Sequence, residues 1–224
     1  MALQMLWVEG RSAETAFSST NQLNHLLLTL SLVLNPKGRH YATLKTYLKQ
    51  NFEDLYFDED AIYLERNSRD VKRRIRVIDA NAEAACDFLQ PRSVAGGVPS
   101  SPIKEVFYPK YITRENYEIC RKKGIDSEDG MTGGFGGLFS LSFTSTSASE
   151  AFFDTLQCYK GPSLGTNFTL ACPFTILAHF VELDWARQWG VEENLIRISV
   201  GMEDSATLLS WIKTAFEAAE AVRT

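Results

Sequence analysis

The segment from Asn194 to Gly201 constrains the fold more tightly than any other part of the chain, because its residues alternate as in a half-buried β-strand. The alternation places Ile196, Ile198 and Val200 on one face and Leu195, Arg197 and Ser199 on the other. An arginine within an apolar strand is costly to bury unless its guanidinium meets an anion, and a guanidinium can bind a carboxylate through two hydrogen bonds. The segment therefore predicts either a carboxylate-binding Arg197 or a structural ion pair between Arg197 and Glu192 or Glu193.

A long amphipathic helix is predicted between residues 71 and 89, where apolar residues recur at gaps of four and three. Its apolar stripe consists of Val71, Ile75, Ile78, Ala82, Ala85 and Leu89. Ser68 is expected to cap its first turn, and Pro91 is expected to end it. The glycine and proline residues between positions 93 and 102 then predict a linker, at which we place a domain boundary.

The two sides of this boundary predict different architectures. Before it, residues 41–52 read as a helix, and residues 26–34 fit either a buried strand or a helical turn. After it, strands and helices are interspersed, as in an α+β domain. Besides the Arg197 strand, the predicted elements are strands 103–107 and 138–143, a helix from Thr113 to about Lys122, helices 149–159 and 173–189, and a last helix capped by Asp204 with the stripe Leu208, Ile212, Ala215, Ala219 and Val222.

A glycine-rich segment from Gly130 to Gly137 leads into the strand predicted at 138–143. Such loops bind phosphate where they open a helix, because the helix N-terminus attracts anions. Since this one opens a strand, we interpret it as a flexible or edge-forming loop and not as a phosphate site.

Composition and charge exclude several classes of protein. The 224 residues carry a net charge of −5, which argues against a nucleic-acid-binding surface. The basic run from Arg66 to Arg76 is interpreted as a solvated face or an interface stripe. The four cysteines are far apart and the three histidines are scattered, so we expect no metal site and no disulfide framework, as in a cytoplasmic protein. The apolar run at 26–34 is too short to span a membrane, and we expect no targeting segment.

Several motifs occur in one order along the chain. They are Ser31 to Pro36, Asn67 to Asp70, Asn81 to Glu83, Tyr108-Pro109, Phe135 to Ser140 and Ser163-Leu164-Gly165. In this order, and followed by Arg197, they resemble the C-terminal half of the cystathionine γ-synthase family, the pyridoxal-phosphate enzymes of cysteine and methionine metabolism. The segment from Thr166 to Thr169 departs from the common Gly-Val-Glu-Ser and is more similar to the fungal branch of that family.

The resemblance implies a fold and a set of site residues. Residues 1–30 have no match, residues 31–95 correspond to the end of an α/β, aspartate aminotransferase-like (fold-type I) large domain with its interdomain helix, and residues 96–224 correspond to a complete α+β small domain with an antiparallel sheet. Arg197 is expected to hold the α-carboxylate of an amino-acid substrate, with Ser163 beside it. Asn167 and Thr169 are candidate pocket residues.

The cofactor half of the family's site is missing from the sequence. The resemblance places the lysine that binds pyridoxal phosphate within about residues 16–30, where there is no lysine; the first lysine, Lys37, lies in a predicted turn. We therefore expect a truncated chain that is inactive alone, although its ancestry implies γ-replacement on an O-acylhomoserine by a thiol such as cysteine, in primary or specialised sulfur metabolism. The family also implies a homo-oligomer. Two alternatives stay open: a non-catalytic partner of a full-length homologue, and a small carboxylate-binding α+β module.

Overall fold

The computed structural model describes residues 15–21, 28–53, 57–124 and 132–222, with side-chain environments from residue 35 onward. Its contacts divide the chain into two compact units, Met1–Asp70 and Val71–Thr224. Within the described parts, no helix is both long and apolar enough to cross a membrane.

The described part of the first unit contains two paired strands and two helices. Strands β1 (Thr15–Asn21) and β2 (Leu28–Leu34) pair antiparallel. Helix α1 spans Tyr41–Asn51, which confirms the helix predicted at 41–52, and α2 spans Asp58–Ser68. The apolar run at 26–34 is thus a strand wherever it is described. The unmatched segment 1–30 is only partly within the described residues, because residues 1–14 and 22–27 lie outside them.

The second unit is built on a five-stranded sheet with the strand order β3-β4-β7-β6-β5. Its strands are β3 (Ile103–Phe107), β4 (Leu138–Phe143), β5 (Tyr159–Lys160), β6 (Leu170–Pro173) and β7 (Ile196–Ser199). All neighbours pair antiparallel except β5 and β6, which are parallel. The antiparallel α+β character of this region agrees with the prediction, and β5 and β6 are additions to it.

The hydrophobic core of this unit lies between the sheet and three helices, α3 (Val71–Leu89), α5 (Thr146–Thr155) and α8 (Ser205–Ala221). Strand β7 contributes Ile196 and Ile198, followed by Val200, and α8 contributes Leu208 and Ile212. The predicted alternation of β7 is therefore confirmed, since the three aliphatic side chains share the core face and leave Arg197 on the opposite one.

Helix α3 begins differently from the prediction. Helix α2 ends at Ser68, whose hydroxyl donates to the Glu65 carbonyl at 2.8 Å, so the predicted capping of α3 by Ser68 is wrong. The first two members of the predicted stripe, Val71 and Ile75, are exposed, and the buried stripe begins at Ile78. The end of the helix is as predicted, because Pro91 lies in a 3₁₀ turn, Gln90–Arg92, directly after it.

The predicted linker at 93–102 is a folded loop, so its interpretation as a linker is wrong. The Val94 N–H donates to the Ile103 carbonyl at 2.9 Å, and Ser93 is fully buried. Gly96 is required there, because a Cβ atom would lie closer than 3.0 Å to the Gln90 carbonyl. The compact units divide before α3, whereas the domain boundary placed near residue 95 from composition and the limit near residue 30 taken from the resemblance both stay predictions.

Two helices of the second unit differ in their first turns from the prediction. Thr113 precedes α4 (Arg114–Cys120) as expected, but it has a left-handed φ of 54° and its side chain makes no capping hydrogen bond. Helix α5 begins earlier than the predicted 149, because the Ser145 hydroxyl caps it by accepting from the Ala148 N–H. Asp204 caps α8 as predicted, since its carboxylate accepts from the Thr207 N–H at 3.0 Å.

The helix predicted at 173–189 is broken. It consists of α6 (Phe174–His179), a 3₁₀ turn (Phe180–Glu182) and α7 (Leu183–Gln188). At the break His179 has a ψ of 21°, and its ring nitrogen Nδ1 lies 2.7 Å from a Glu182 carboxylate oxygen. Gly190, with φ at 79°, follows the end of α7 as expected.

Candidate functional site

Arg197 lies at the centre of the sheet, on the face opposite the core. Strand β7 runs between β4 and β6, and the cross-strand partners of Arg197 are Ser140 and Cys172. The arginine is half-buried, whereas Cys172 is fully buried. The strand therefore fixes the base of the arginine side chain within a rigid sheet.

The guanidinium of Arg197 is held by groups that carry no negative charge. Its Nη2 atom donates to the Pro162 carbonyl, and its central carbon lies 5.1 Å from the centroid of the Phe174 ring. Its Nε atom is buried and has no hydrogen-bond partner among the described residues. A half-buried guanidinium whose terminal nitrogens meet no acidic side chain in the described residues is a strong candidate for binding an anionic ligand.

The structural ion pair that was the alternative for Arg197 is not formed. Glu192 pairs with Lys104, and the Glu193 carboxylate lies 3.9 Å from an Arg187 nitrogen. No acidic side chain in the described ranges forms a salt bridge with Arg197. The prediction of a pairing with Glu192 or Glu193 is therefore wrong, and the carboxylate-binding interpretation stays.

The pKa of the Cys172 thiol reflects how close the Arg197 guanidinium lies to strand β6. Burial raises the pKa of the Cys172 thiol, and the Arg197 guanidinium opposes that rise by favouring the thiolate. The thiol is nevertheless only 2% exposed, so we assign it no reactive role.

Ser163 lies in the loop between β5 and β6, directly after the proline whose carbonyl holds Arg197. The Gly165 N–H in this loop donates to the Ser199 hydroxyl at 3.0 Å, and Gly165 has a φ of 70°. Because Ser199 shares the outer face of β7 with Arg197, this hydrogen bond ties the loop to the strand. The structure thus brings the loop of Ser163 to Arg197, while the binding role of the Ser163 hydroxyl stays a prediction.

Asn167 and Thr169 brace the end of this loop. The Asn167 carbonyl accepts from the Met202 N–H at 2.7 Å, and its side-chain oxygen lies 3.5 Å from Nη1 of Arg74. Thr169 is fully buried; its hydroxyl donates to the Glu203 carboxylate at 2.7 Å and accepts from the Gly201 N–H at 3.0 Å. Both residues therefore have contacts of their own in the fold, and their predicted roles in a pocket are not supported by any contact with Arg197.

The glycine-rich loop is occupied by a side chain of the protein. The carboxylate of Asp79 accepts from the Gly134 and Gly136 N–H groups, while burial raises its pKa. The Tyr108 hydroxyl donates to the Gly136 carbonyl at 2.9 Å. From residue 132 onward the loop thus packs beside α3, which differs from the predicted flexible or edge-forming loop, while Gly130 lies outside the described residues.

Three neighbours of Arg197 could not be recognised from the sequence, namely Pro162, Cys172 and Phe174. Each belongs to β6 or to a segment that flanks it, and β6 was not predicted. The one local signal is Phe174 itself, an aromatic residue that follows a proline within an apolar run.

Three of the lysines that the structure describes do not fit a Schiff-base site for pyridoxal phosphate. Lys37 lies in the turn after β2, where its backbone N–H donates to the Asn35 side chain at 3.0 Å. Lys104 pairs with Glu192, and Lys160 donates to backbone carbonyls at the end of α5. Neither the paired strands β1 and β2 nor the surroundings of Arg197 therefore supply the lysine that this chemistry requires.

Comparison with known proteins decides the family. Residues 41–217 match the family of Cys/Met metabolism PLP-dependent enzymes. The chain belongs to this family. The resemblance to cystathionine γ-synthases is thereby confirmed, and with it the pyridoxal-phosphate dependence of the family as a whole.

Relatives within this PLP-dependent family are considerably longer than the chain. It is 60% identical over 195 residues to the cystathionine gamma-synthase-like enzyme iboG2 of Amanita muscaria. The aligned region covers 85% of the chain and 31% of that enzyme. It is 44% identical over 189 residues to the cystathionine gamma-synthase of Neurospora crassa, covering 84% and 28% of the two proteins. The chain thus spans about a third of the length of these relatives.

The fold is also that of the family. The structure of cystathionine gamma synthase from Xanthomonas oryzae pv. oryzae in complex with cystathionine matches with a TM-score of 0.62 and 22% identity, over 85% of the chain and 45% of that protein. At this identity the match supports the fold alone. It confirms the prediction of part of a fold-type I enzyme.

Proposed function

We propose that this chain carries the part of a cystathionine gamma-synthase-like enzyme that binds the substrate carboxylate, and that it does not catalyse the reaction alone. The proposed whole reaction is γ-replacement on an O-acylhomoserine by a thiol such as cysteine. The ligand proposed for this chain is the α-carboxylate of that amino acid.

One observation carries the proposal: Arg197 is fixed in the centre of the sheet but pairs with no acidic residue among those described. A guanidinium is planar, remains charged at physiological pH and matches a carboxylate with two parallel hydrogen bonds. Pro162 satisfies one donor, and the remaining N–H groups of the two terminal nitrogens are sufficient for such a pairing.

Binding is tested by a matched pair of ligands. L-Homoserine carries the expected carboxylate, and 3-aminopropan-1-ol is the same molecule without it. Isothermal titration or NMR titration of the chain is expected to detect homoserine and not the amine. Arg197→Lys keeps the charge but loses the planar fork, and is expected to weaken homoserine binding by about 1.5–3 kcal/mol. Equal binding of the two ligands contradicts the proposal.

Catalytic incompetence is tested separately. Pyridoxal phosphate is added to the chain, and the absorbance is followed for the band of a lysine Schiff base, with borohydride reduction and mass spectrometry to locate any adduct. We expect no specific adduct and no turnover of O-acetylhomoserine, because no lysine occupies the expected segment. A single reducible adduct together with turnover refutes this part of the proposal.

A second candidate function, a non-catalytic partner of a full-length homologue, is favoured by a different surface. The segment of α6, its following turn and α7 exposes a group of large apolar side chains. They are Leu177, Phe180, Val181, Trp185 and Trp189. Apolar groups of this size on a soluble protein commonly mark an interface. Size-exclusion chromatography of the chain mixed with a longer relative distinguishes the two: a stable complex supports the partner function, and unchanged elution of both proteins argues against it.

A further inference from the structure

The placement of Phe174 carries an inference about how the proposed carboxylate site works, and this inference rests on the proposed function. Phe174 is the first residue of α6 and directly follows β6. Its backbone N–H donates to the Leu195 carbonyl at 3.1 Å, which ties the start of α6 to the segment leading into β7. Phe174, whose ring contacts the guanidinium, is thus held by a backbone hydrogen bond to Leu195, which lies two residues before Arg197 in the chain.

The contacts of Arg197 leave one direction for a ligand. The central carbon of the guanidinium lies over the Phe174 ring, 5.1 Å from its centroid, and Nη2 donates to the Pro162 carbonyl. The Nε atom is buried and is therefore closed to a ligand. The remaining N–H groups, on the two terminal nitrogens, are those that pair end-on with a carboxylate.

We propose that Phe174 is a positioning residue for the carboxylate site: its ring holds the Arg197 guanidinium in the orientation in which the terminal nitrogens receive an α-carboxylate. The attraction between a cation and the face of an aromatic ring supplies the restraint. Without the ring, the Arg197 side chain regains rotamers in which the two terminal nitrogens no longer point together at the ligand. Binding must then immobilise the arginine side chain, and this loss of conformational entropy weakens the affinity.

The test uses the intact chain with L-homoserine and 3-aminopropan-1-ol as probes. Phe174→Leu removes the ring but keeps an apolar side chain, and is expected to weaken homoserine binding about three- to tenfold. Phe174→Tyr keeps the ring and is expected to bind within about twofold of the wild type. The matched control is Phe168→Leu, because the Phe168 ring packs edge-to-face against Tyr159, with the centroids 5.0 Å apart, and not against Arg197. This variant is expected to leave binding unchanged.

A second readout follows the arginine directly. The Nε–H resonance of Arg197, assigned by its disappearance in Arg197→Lys, is expected to shift in Phe174→Leu and to return close to its native position in Phe174→Tyr. Because loss of the ring current shifts this resonance by itself, the deciding readout is the ¹⁵N relaxation of Nε, which is expected to report a more mobile side chain in Phe174→Leu and native mobility in Phe174→Tyr. Thermal melting of each variant identifies any that fail to fold, and for a Phe174→Leu chain that does not fold, Phe174→Met replaces it.

The outcomes separate the two proposals. If Phe174→Leu binds homoserine as tightly as the wild type while Arg197→Lys does not, the positioning role is wrong and the proposed function stands. If Phe168→Leu weakens binding as much as Phe174→Leu does, the effect is general and the positioning role is again wrong. If the wild type does not distinguish the two ligands, the proposed function itself fails.

Discussion

The hydroxyl of Thr169 offers a quantitative test of what holds the candidate site together. It is fully buried and bonds to both the Glu203 carboxylate and the Gly201 N–H, which joins the site loop to the turn after β7. In Thr169→Val, the shape is kept but both bonds are lost. The buried Gly201 N–H then lacks a partner, which costs about 1–3 kcal/mol, and the half-exposed Glu203 loses about 1 kcal/mol more because water replaces part of the bond. We therefore expect a loss of about 2–4 kcal/mol.

Urea unfolding followed by tryptophan fluorescence measures this loss, because Trp185, Trp189 and Trp211 all lie in the second unit. Thr169→Ser keeps the hydroxyl, and is expected to lose only about 1 kcal/mol for the missing methyl group. Thr214→Val is the matched control, because its hydroxyl is exposed on α8 and, among the described residues, donates to the Ser210 carbonyl alone. If Thr169→Val is no more destabilising than Thr214→Val, the assignment of Thr169 as the brace of the loop is refuted.

Two further predictions concern the glycine loop and the cap of α8. Gly134→Ala places a Cβ closer than 3.0 Å to the Asp79 carboxylate and is expected to lower the melting temperature by about 3–8 °C. A Cβ at position 133 meets no atom closer than 3.7 Å, so Gly133→Ala is expected to leave the melting temperature nearly unchanged. Equal effects of the two substitutions contradict this prediction. The Thr207 N–H and hydroxyl hold the pKa of Asp204 below its usual range, so its contribution to stability is present above the unfolded pKa of about 3.9 and is lost as the pH falls through the folded value. The melting temperatures of the wild type and Asp204→Ala are therefore expected to differ at pH 7 and to converge below about pH 4, and a constant difference argues against the cap.

The parts of the fold that could be predicted from the sequence are those in which the spacing of the apolar residues matches the side of the element that is buried. Strand β7 alternates because one face meets the core and the other does not, and α8 repeats its apolar residues along one side for the same reason. Asp204 and Gly190 could be assigned because capping and left-handed conformations each favour a few residue types. Family motifs added Arg197 and the loop of Ser163, which periodicity alone leaves undecided.

The errors have physical causes that local sequence does not contain. Strand β6 has four residues and ends in a proline, so it is too short to show a period, and its pairing with β7 is set by the sheet. The segment 173–189 contains no internal residue that would end a helix, yet the helix is broken where His179 contacts Glu182. The loop at 93–102 resembles a linker in composition, yet its backbone bonds to β3. In each case tertiary contacts outweigh local preference.

The contacts of Arg197 bear on the role proposed for it. Two glutamates, Glu192 and Glu193, stand close to it in sequence and could form a structural ion pair with it. Both are engaged elsewhere, with Lys104 and Arg187, while Arg197 contacts the Pro162 carbonyl, the Phe174 ring and the Cys172 thiol among the described residues. None of these three groups carries a full negative charge, so on the proposed function the charge of the guanidinium remains available to an anion. On the proposed function, carboxylate binding rests on Arg197 and not on a lysine, so homoserine is expected to bind to this chain without pyridoxal phosphate.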